Sequence, residues 1–304
     1  MKQRYQIWAV FFFVIICLFS PLGSRSAARE VTDELGRQVT LPDDPERVVS
    51  FAPSITEIIY ALGRECRLKG VTEFSDVPPE AARLPRVGSY VRLDLERIVA
   101  LRPDLCIATK DGNPIEIVNR LEALKIPVYV VNPRNLDSVM ETILKIGEIL
   151  NAARRASIIV DKMRSRLNAV TTLVADSSHR PRTFFQIGVS PIVSVGTQTF
   201  IHELIVLAGG KNLAQGPLPY PRFSREQVLS LSPELFLITS MARGANFEDI
   251  KREWTRWPDL PAVRDDRILL VDSNLFDRPT PRLIDALELL ARLIHPELFE
   301  KDSE

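Results

Sequence analysis

The sequence predicts an α/β protein with two lobes, each built around a mostly parallel sheet and joined to the other by one long helix. A repeated pattern of strands and helices predicts the two lobes, and a long segment of helical spacing between the copies predicts the connection. The apolar content of 45% over 304 residues is ample for two packed cores.

The repeat is clearest in two stretches that align without a gap. LERIVALRPDLCIAT runs from Leu95 to Thr109, and REQVLSLSPELFLIT runs from Arg225 to Thr239. Each stretch predicts a short helix, a proline that ends it, and a buried strand. Proline lacks the N–H group that a helix needs, and the apolar run after it is too short for a second helix.

The neighbouring segments repeat as well. Upstream, VVSFAPSITEIIYALG (Val48 to Gly63) and IVSVGTQTFIHELIVLAGG (Ile192 to Gly210) each predict a strand, a turn and a helix closed by glycine. Downstream, a helical patch, the strand PVYVV or RILLV, and a final helix follow in both copies. Strand–helix units in a constant order are typical of a parallel α/β lobe, so we expect this lobe twice.

The segment between the copies predicts the connecting helix. It has no proline from Leu136 to Ser178, and its apolar residues recur at helical spacing. We therefore expect an N-terminal lobe over residues 29–150, a linking helix over 151–178 and a C-terminal lobe over 179–304. Because a helix is stiffer than an extended linker, the two lobes should keep a nearly fixed separation.

Residues 1–28 have the pattern of a secretory signal. Lys2 and Arg4 precede an apolar run from Ile7 to Phe19, and small residues fill positions 26–28. The apolar run falls short of the ~20 residues that span a bilayer, which favours cleavage after Ala28 over retention as a membrane anchor.

Charge and cysteine content narrow the function classes. Without residues 1–28 the chain has 36 basic and 39 acidic side chains, a formal charge of −3, so nothing favours a nucleic-acid partner.

Two cysteines remain: Cys66 falls in a polar turn and Cys106 in a predicted buried strand. Their pairing stays open, although a free buried thiol is favoured for Cys106.

No catalytic or metal-binding pattern emerges. The remaining histidines, at positions 179, 202 and 295, lack the spacing of metal ligands. Ser54 and Ser224 precede helices and are predicted N-caps rather than nucleophiles. The sequence therefore predicts no catalytic residue, no metal site and no resident cofactor.

The loops after the predicted strands are where a ligand should bind. Parallel α/β sheets bind ligands at the carboxyl ends of their strands, so two such lobes predict a cleft between them. Aromatic residues lie in proline-rich loops at this edge, and rigid aromatics give apolar contact at low entropic cost. These loops hold Pro53, Phe74, Tyr90, Tyr220 and Phe276, with Arg92, Lys110, Arg222 and Arg278 nearby.

Two glutamates occupy the same place in the two copies. Glu96 and Glu226 fall in the first turn of their predicted helices, where the exposed N–H groups and the helix dipole favour a carboxylate. Aspartate, serine or threonine would serve that purpose equally well. A symmetrical pair of exposed glutamates therefore also indicates docking to a partner that is itself twofold.

Together these segments resemble the periplasmic substrate-binding proteins of ABC importers for vitamin B12, haem and iron-siderophores, most of all the cobalamin-binding branch. The similarity covers nearly all of Val48 to Ile294. It is carried by SFAPSITEIIYALG, FSDVPPEA, LDLERIVALRPDLCIATKDGN, PYPRFSREQVLSLSP and LFDRPTPRLIDALELL. The resemblance implies two Rossmann-like lobes joined by a backbone helix, a periplasmic location, no enzymatic activity, and a free monomer that delivers its ligand to an ABC permease.

The resemblance also implies roles for individual residues. The family's ligand-contacting positions fall on Phe74, Tyr90, Tyr220 and the segment Asn274, Leu275, Phe276, Asp277 and Arg278. The acids that engage arginines on the two membrane subunits fall on Glu96 and Glu226.

The identity of the ligand stays open at this point. Cobalamin, as a transported ligand, suits flat aromatics with few charges, whereas an anionic ferric siderophore would suit the basic loop residues, and haem is a further alternative. Cobalamin binders often carry tryptophan where this chain has Tyr90, Tyr220 and Leu275. From another class, a secreted two-lobed enzyme or metal chaperone is the rival prediction.

Overall fold

The computed structural model describes residues 28–239 and 247–299. The predicted signal lies outside this range except for Ala28, which begins the first strand. The strands are β1 (Ala28–Thr32), β2 (Gln38–Pro42), β3 (Val48–Ser50), β4 (Leu68–Gly70), β5 (Leu105–Thr109), β6 (Val128–Val131), β7 (Arg182–Gly188), β8 (Ile192–Ser194), β9 (Lys211–Asn212), β10 (Arg222–Phe223), β11 (Leu235–Ile238) and β12 (Ile268–Leu270).

The helices connect these strands and cover the sheets. They are α1 (Pro53–Ala61), α2 (Leu95–Ala100), α3 (Ile115–Ala123), α4 (Leu136–Ile149), α5 (Ala153–Ala175), α6 (Phe200–Leu207), α7 (Arg225–Leu231), α8 (Phe247–Trp254), α9 (Pro261–Arg264), α10 (Ser273–Phe276) and α11 (Leu283–Ile294). Within the described ranges, none of them is both long enough and apolar enough to cross a membrane.

The N-terminal sheet has the strand order β4-β3-β5-β6, and all of its neighbouring strands are parallel. The C-terminal sheet contains the same arrangement in β9-β7-β11-β12, again parallel throughout. Two further strands, β8 and β10, extend the C-terminal sheet in antiparallel pairings. The prediction of two lobes with mostly parallel sheets is therefore confirmed.

The repeat is aligned differently from the sequence expectation in one place. The sequence matched the segment that begins at Val48 with the segment that begins at Ile192, which pairs β3 with β8. In the sheet topology the equivalent of β3 is β7. Strand β3 lies between its parallel neighbours β4 and β5, and β7 lies in the same way between β9 and β11. A turn around Pro191 sends the chain back as β8, antiparallel to β7, so the C-terminal lobe has an added hairpin before α6.

The two helix starts that carry the predicted serine caps also differ. Ser224 caps α7, where its side chain accepts from the Gln227 N–H and the Gln227 side chain accepts from the Ser224 N–H. At α1 the N-cap is Ala52 and Pro53 is the first helical residue, so the prediction of Ser54 as a cap was wrong. Proline suits this place because its missing N–H would have no helical partner.

A central core joins both lobes. Alternate residues of β5 and β11 point to opposite faces, and one set, including Leu105 and Leu235, belongs to a single cluster that also contains residues of α4, α5 and α11. The other faces form two separate lateral cores, with Cys106 in the first and Phe236 in the second. The lobes therefore share apolar packing in addition to their connecting helix.

Helix α5 spans 23 residues, which corresponds to about 35 Å at the usual rise of an α-helix. It packs on α4 of the N-terminal lobe and on α11 of the C-terminal lobe. Arg166 on α5 pairs with Asp285 and Glu288 of α11, at 2.6 Å in each case. The helix lies within the predicted range 151–178, while the division of the chain at residues 150 and 178 stays a prediction.

Candidate functional site

A cavity of about 310 Å³ lies between the lobes, at the carboxyl ends of the parallel strands. This is the size and place expected of a small-molecule site in such a fold. The lining residues are Ala52, Pro53, Ser54, Phe74, Ser89, Tyr90, Val91, Thr109, Asp111, Asn132, Pro133, Ile187, Phe200, Ile201, Tyr220, Ser273, Asn274, Asp277, Arg278 and Pro279.

Asn113 assembles the N-terminal wall of the cavity. Its Oδ1 accepts from the Thr109 N–H at 2.8 Å, and its Nδ2 donates to the carbonyls of Phe51 at 3.0 Å and Tyr90 at 2.8 Å. One side chain thereby ties together the loops that follow β3 and β5 and the loop that carries Tyr90. The Tyr90 ring lies against Gly112, where an added Cβ would come within 1.9 Å of it.

The C-terminal wall is built from the proline-rich loop that carries Tyr220. Gly196 donates its N–H to the Pro219 carbonyl at 2.8 Å. An added Cβ at Gly196 would come within 1.8 Å of the Leu218 carbonyl oxygen, so only glycine permits this approach. The loop presents Tyr220 with 46% of its surface exposed, and across the cavity Phe74 is 37% exposed. Aromatic rings that remain this exposed offer a flat apolar surface to a ligand.

Of the five residues predicted to contact the ligand in the segment around α10, three line the cavity. Asn274, Asp277 and Arg278 line the cavity. Phe276 is fully buried and packs on Phe185, with ring centroids 5.6 Å apart, and Leu275 packs against the central core. The expectation that these two side chains face the ligand is corrected, because a one-turn helix turns neighbouring residues to different sides.

Arg278 does not offer a free positive charge to the cavity. It is 9% exposed, and it donates to Glu57 at 2.8 Å, to the Phe74 carbonyl at 3.0 Å and to Asp76 at 3.2 Å. Arg282 donates to the second oxygen of Glu57 at 2.9 Å. These contacts form an ion-pair cluster between the lobes, with Glu57 and Asp76 from one and Arg278 and Arg282 from the other.

The other basic residues that the sequence placed near the cleft add no positive charge to the lining of the cavity. Arg92, Lys110 and Arg222 are exposed and do not line it. Sequence spacing placed them in the right loops but could not give the direction of their side chains. The site therefore lacks, among its described lining residues, the cluster of free cations that an anionic ligand would favour.

Sequence reasoning missed several lining residues. Asp111 lies in the loop after β5 and pairs with Arg134 at 2.9 Å. Asn132 and Pro133 follow β6, and Phe200 begins α6. Their position directly after a strand, or at the start of a helix on the same edge, was the available signal.

Burial and nearby carboxylates shape the ionisation of the cavity side chains. Burial raises the pKa of the Tyr90 and Tyr220 phenols, and the carboxylate of Asp111 raises both further. Burial also raises the pKa of Asp277 to about 7, against a lowering hydrogen bond from Thr239. The phenols are therefore neutral at physiological pH and act as apolar surface with a hydroxyl at the edge.

The predicted docking glutamates have equivalent surroundings. Glu96 is the second residue of α2, capped by Asp94, and Glu226 is the second residue of α7, capped by Ser224. Both are exposed, and among the described residues neither is in an ion pair. Hydrogen bonds from its own backbone N–H and from Ser224 lower the pKa of Glu226.

The described residues give no support for a metal site. Within them, no group of three or more His, Cys, Asp or Glu side chains could hold a metal ion. Cys66 and Cys106 are both free thiols, Cys66 exposed and Cys106 buried, which confirms the buried thiol expected in β5. Burial raises the pKa of Cys106 and keeps it protonated.

Two parallel α/β lobes around an aromatic cavity, joined by a long helix, define a two-lobed solute-binding protein. A family model described as periplasmic binding protein matches residues 48–275, and the chain belongs to this family.

Individual relatives support the same class. The chain is 34% identical over 275 residues to the vitamin B12-binding protein of Vibrio parahaemolyticus, which covers 90% of this chain and 94% of the relative. The solved structure of the periplasmic vitamin B12-binding protein of Vibrio cholerae has a TM-score of 0.71 at 30% identity, over 86% of this chain and 99% of that one. A periplasmic haem-binding protein from Pseudomonas aeruginosa has a TM-score of 0.76 at 28% identity, over 83% of this chain and 93% of that one.

Proposed function

We propose that this protein captures cobalamin in the cavity between its lobes, in the periplasm, and delivers it to the membrane subunits of an ABC importer. The aromatic walls of the cavity carry this proposal, because Phe74, Tyr90 and Tyr220 offer flat apolar surface to a large and nearly neutral macrocycle. Cobalamin is then a transported ligand, and the protein works without a resident cofactor, without catalysis and as a monomer when free.

The electrostatics of the cavity favour cobalamin over a ferric siderophore. An anionic catecholate complex needs several cations around it. Arg278, the one basic side chain among the described lining residues, is already neutralised by Glu57 and Asp76. The relatives at 30–34% identity are vitamin B12-binding proteins, which agrees with this preference.

Haem is the second candidate. The haem-binding structural relative at 28% identity supports it, as do the two phenols in the cavity, because a tyrosine can serve as an axial ligand of ferric iron. Against haem, the described lining residues include no free cation to pair with its propionates.

The proposed route to the membrane uses the two exposed glutamates. Glu96 and Glu226 occupy equivalent first-turn positions in the two lobes, which suits two equivalent membrane subunits that each present an arginine. Residues 1–28 supply the export signal in this proposal, and cleavage after Ala28 releases the mature chain.

The test is a ligand-retention assay read by absorbance, with each ligand tried separately. Residues 29–304 are mixed separately with cyanocobalamin, hemin and a ferric catecholate, desalted, and measured for retained colour. We expect retention of about one corrin per chain and loss of that colour in the Tyr90→Ala/Tyr220→Ala double variant. Retention of hemin or of the catecholate complex without retention of the corrin would contradict the proposal.

A further inference from the structure

One carboxyl group in the cavity wall has unused hydrogen-bonding capacity. Asp277 is the C-cap residue that directly follows helix α10, and it lines the cavity. Its Oδ2 accepts from the Thr239 hydroxyl at 3.2 Å, whereas its Oδ1 is shielded from solvent and has no hydrogen-bond partner among the described residues. A buried acceptor without a donor is costly, and such groups in a binding site indicate a donor that arrives with the ligand.

The charge of Asp277 is also unmatched. Three charged side chains line the described part of the cavity: Asp111, Asp277 and Arg278. Asp111 pairs with Arg134 at 2.9 Å, and Arg278 pairs with Glu57 at 2.8 Å. Of these three, only Asp277 lacks an ion-pair partner within the part of the chain that the structure describes.

The groups around Asp277 do not remove this imbalance. Arg278 follows it in the chain and lowers the pKa of Asp277, while Asp272 at the start of α10 raises it. Tyr220, in another loop of the same lobe, has its pKa raised by burial and further by the charges of Asp111 and Asp277, so its phenol stays neutral. Thr239, at the end of β11, supplies one neutral hydrogen bond.

We propose that Asp277 is a specificity-determining residue: it accepts a hydrogen bond from an amide N–H on the periphery of the ligand and excludes ligands that present an anion at that place. This inference rests on the proposed function and adds a basis for ligand choice. The corrin ring of cobalamin carries primary amides, which offer N–H donors, whereas haem carries propionates at its edge and catecholates are anionic. A like charge at a desolvated position opposes binding strongly.

The selectivity depends on pH. With a pKa near 7, Asp277 is ionised above neutral pH and repels an anionic ligand. Below neutral pH it becomes protonated, loses its charge and can donate to a ligand oxygen. Discrimination against an anion should therefore increase as pH rises through about 7.

The experiment compares cyanocobalamin with its monocarboxylic acid derivatives, in each of which one peripheral amide is replaced by a carboxylate. Affinities are measured at about pH 5.5 and about pH 8.5 for the purified protein, for Asp277→Asn and for the control Asp161→Asn, an exposed aspartate on α5. For at least one isomer we expect binding about tenfold or more weaker than that of cyanocobalamin at the higher pH. That penalty should shrink at the lower pH, vanish in Asp277→Asn and persist in Asp161→Asn.

A ligand-free measurement supports the same assignment. A carboxyl group whose pKa is raised from 3.8 to about 7 in the folded protein contributes stability that is fully present below about pH 4 and is lost as the pH rises through about 7. The free energy of unfolding should therefore fall for the wild type relative to Asp277→Asn across this range. An NMR titration of the Asp277 carboxyl carbon in the wild type gives the same information if the variant does not fold.

The outcomes separate the two proposals. If cyanocobalamin binds and every monocarboxylate is discriminated equally by the wild type and Asp277→Asn, or if the Asp277 carboxyl titrates near 4, the role of Asp277 is overturned while the function stands. If the wild type fails to bind cyanocobalamin at all, the proposed function falls, and this inference falls with it.

Discussion

Two regions of this molecule use glutamate in opposite ways. Between the lobes, Glu57 is 6% exposed, and its two oxygens accept from Arg278 at 2.8 Å and from Arg282 at 2.9 Å. On the outer surface, Glu96 and Glu226 are exposed, and among the described residues neither is in an ion pair. The carboxylate of Glu57 is thus paired within the chain, whereas those of Glu96 and Glu226 are exposed and could pair with a binding partner.

The difference shows how the same residue type can hold a structure or await a partner. A buried carboxylate must be paired, because an unpaired charge in the interior is very costly. An exposed carboxylate at a helix N-terminus is hydrated and gains little from its own chain. The interlobe region should therefore respond to mutation through stability, and the outer surface through partner binding.

The largest expected effect on stability is that of Glu57→Gln. This change removes the shared partner of Arg278 and Arg282 and should lower the free energy of unfolding by about 3–5 kcal/mol, as for other broken buried pairs. Chemical denaturation measures it. The matched control is Glu122→Gln, which breaks a pair with Arg37 of the same 2.8 Å length but with Glu122 43% exposed, and should cost less than about 1 kcal/mol. If both variants lost the same free energy of unfolding, the claim that the buried carboxylate stabilises the fold more than the exposed one would be wrong.

The cavity aromatics should come next. Tyr90→Ala and Tyr220→Ala each remove rigid apolar surface from facing walls and should weaken cobalamin binding by about 1–3 kcal/mol. Isothermal titration measures the change. Trp257→Ala provides the control, because Trp257 is 41% exposed, similar to Tyr220, but does not line the cavity. Unchanged affinity in both tyrosine variants would place the ligand elsewhere.

The smallest expected effect concerns the shape of the whole molecule. The central core, helix α5 and the ion pairs around Glu57 all connect the lobes. A further contact crosses the lobes where Glu203 of α6 accepts from the Leu136 N–H at the start of α4, at 2.5 Å. Ligand binding should therefore leave the radius of gyration nearly unchanged in small-angle scattering. A marked contraction would show that these contacts do not restrain the lobes.

The sequence predicted the architecture well because its signals are local. Prolines, glycines and apolar runs define strands and helices over a few residues, so the repeated lobes and the connecting helix were visible in the sequence. The same local signals identified the wrong strand of the C-terminal lobe as the equivalent of β3. They matched β3 with β8 instead of β7, because the hairpin turn near Pro191 has no counterpart in the first copy. Periodicity does not reveal which strand becomes central in a sheet.

The site was predicted less completely because it depends on contacts between distant residues. Arg278 and Glu57 are 221 positions apart, so the pairing that removes the free charge of Arg278 leaves no trace in either local segment. Phe276 stands between two cavity residues but turns into the core against Phe185. Loop membership was predictable from the sequence, whereas side-chain direction was set by packing.

The docking assignment is the part of the comparison that needs the most direct test. Charge-assisted pairs with arginine are geometrically specific, and losing one partner costs about 2–5 kcal/mol in a partly desolvated interface. If the two glutamates only favoured their helix ends, replacing them would lower folding stability slightly and leave transport intact. Glu116 and Glu248, also exposed first-turn glutamates in the two lobes, provide the matched control pair.

The decisive measurement is cobalamin uptake through the cognate permease by the Glu96→Gln/Glu226→Gln double variant, with melting temperature and cobalamin affinity recorded on the same preparation. We expect near-normal melting and affinity with severely reduced uptake, while Glu116→Gln/Glu248→Gln transports normally. Normal uptake by the Glu96→Gln/Glu226→Gln variant would contradict the docking role and leave the paired glutamates as a remnant of lobe duplication.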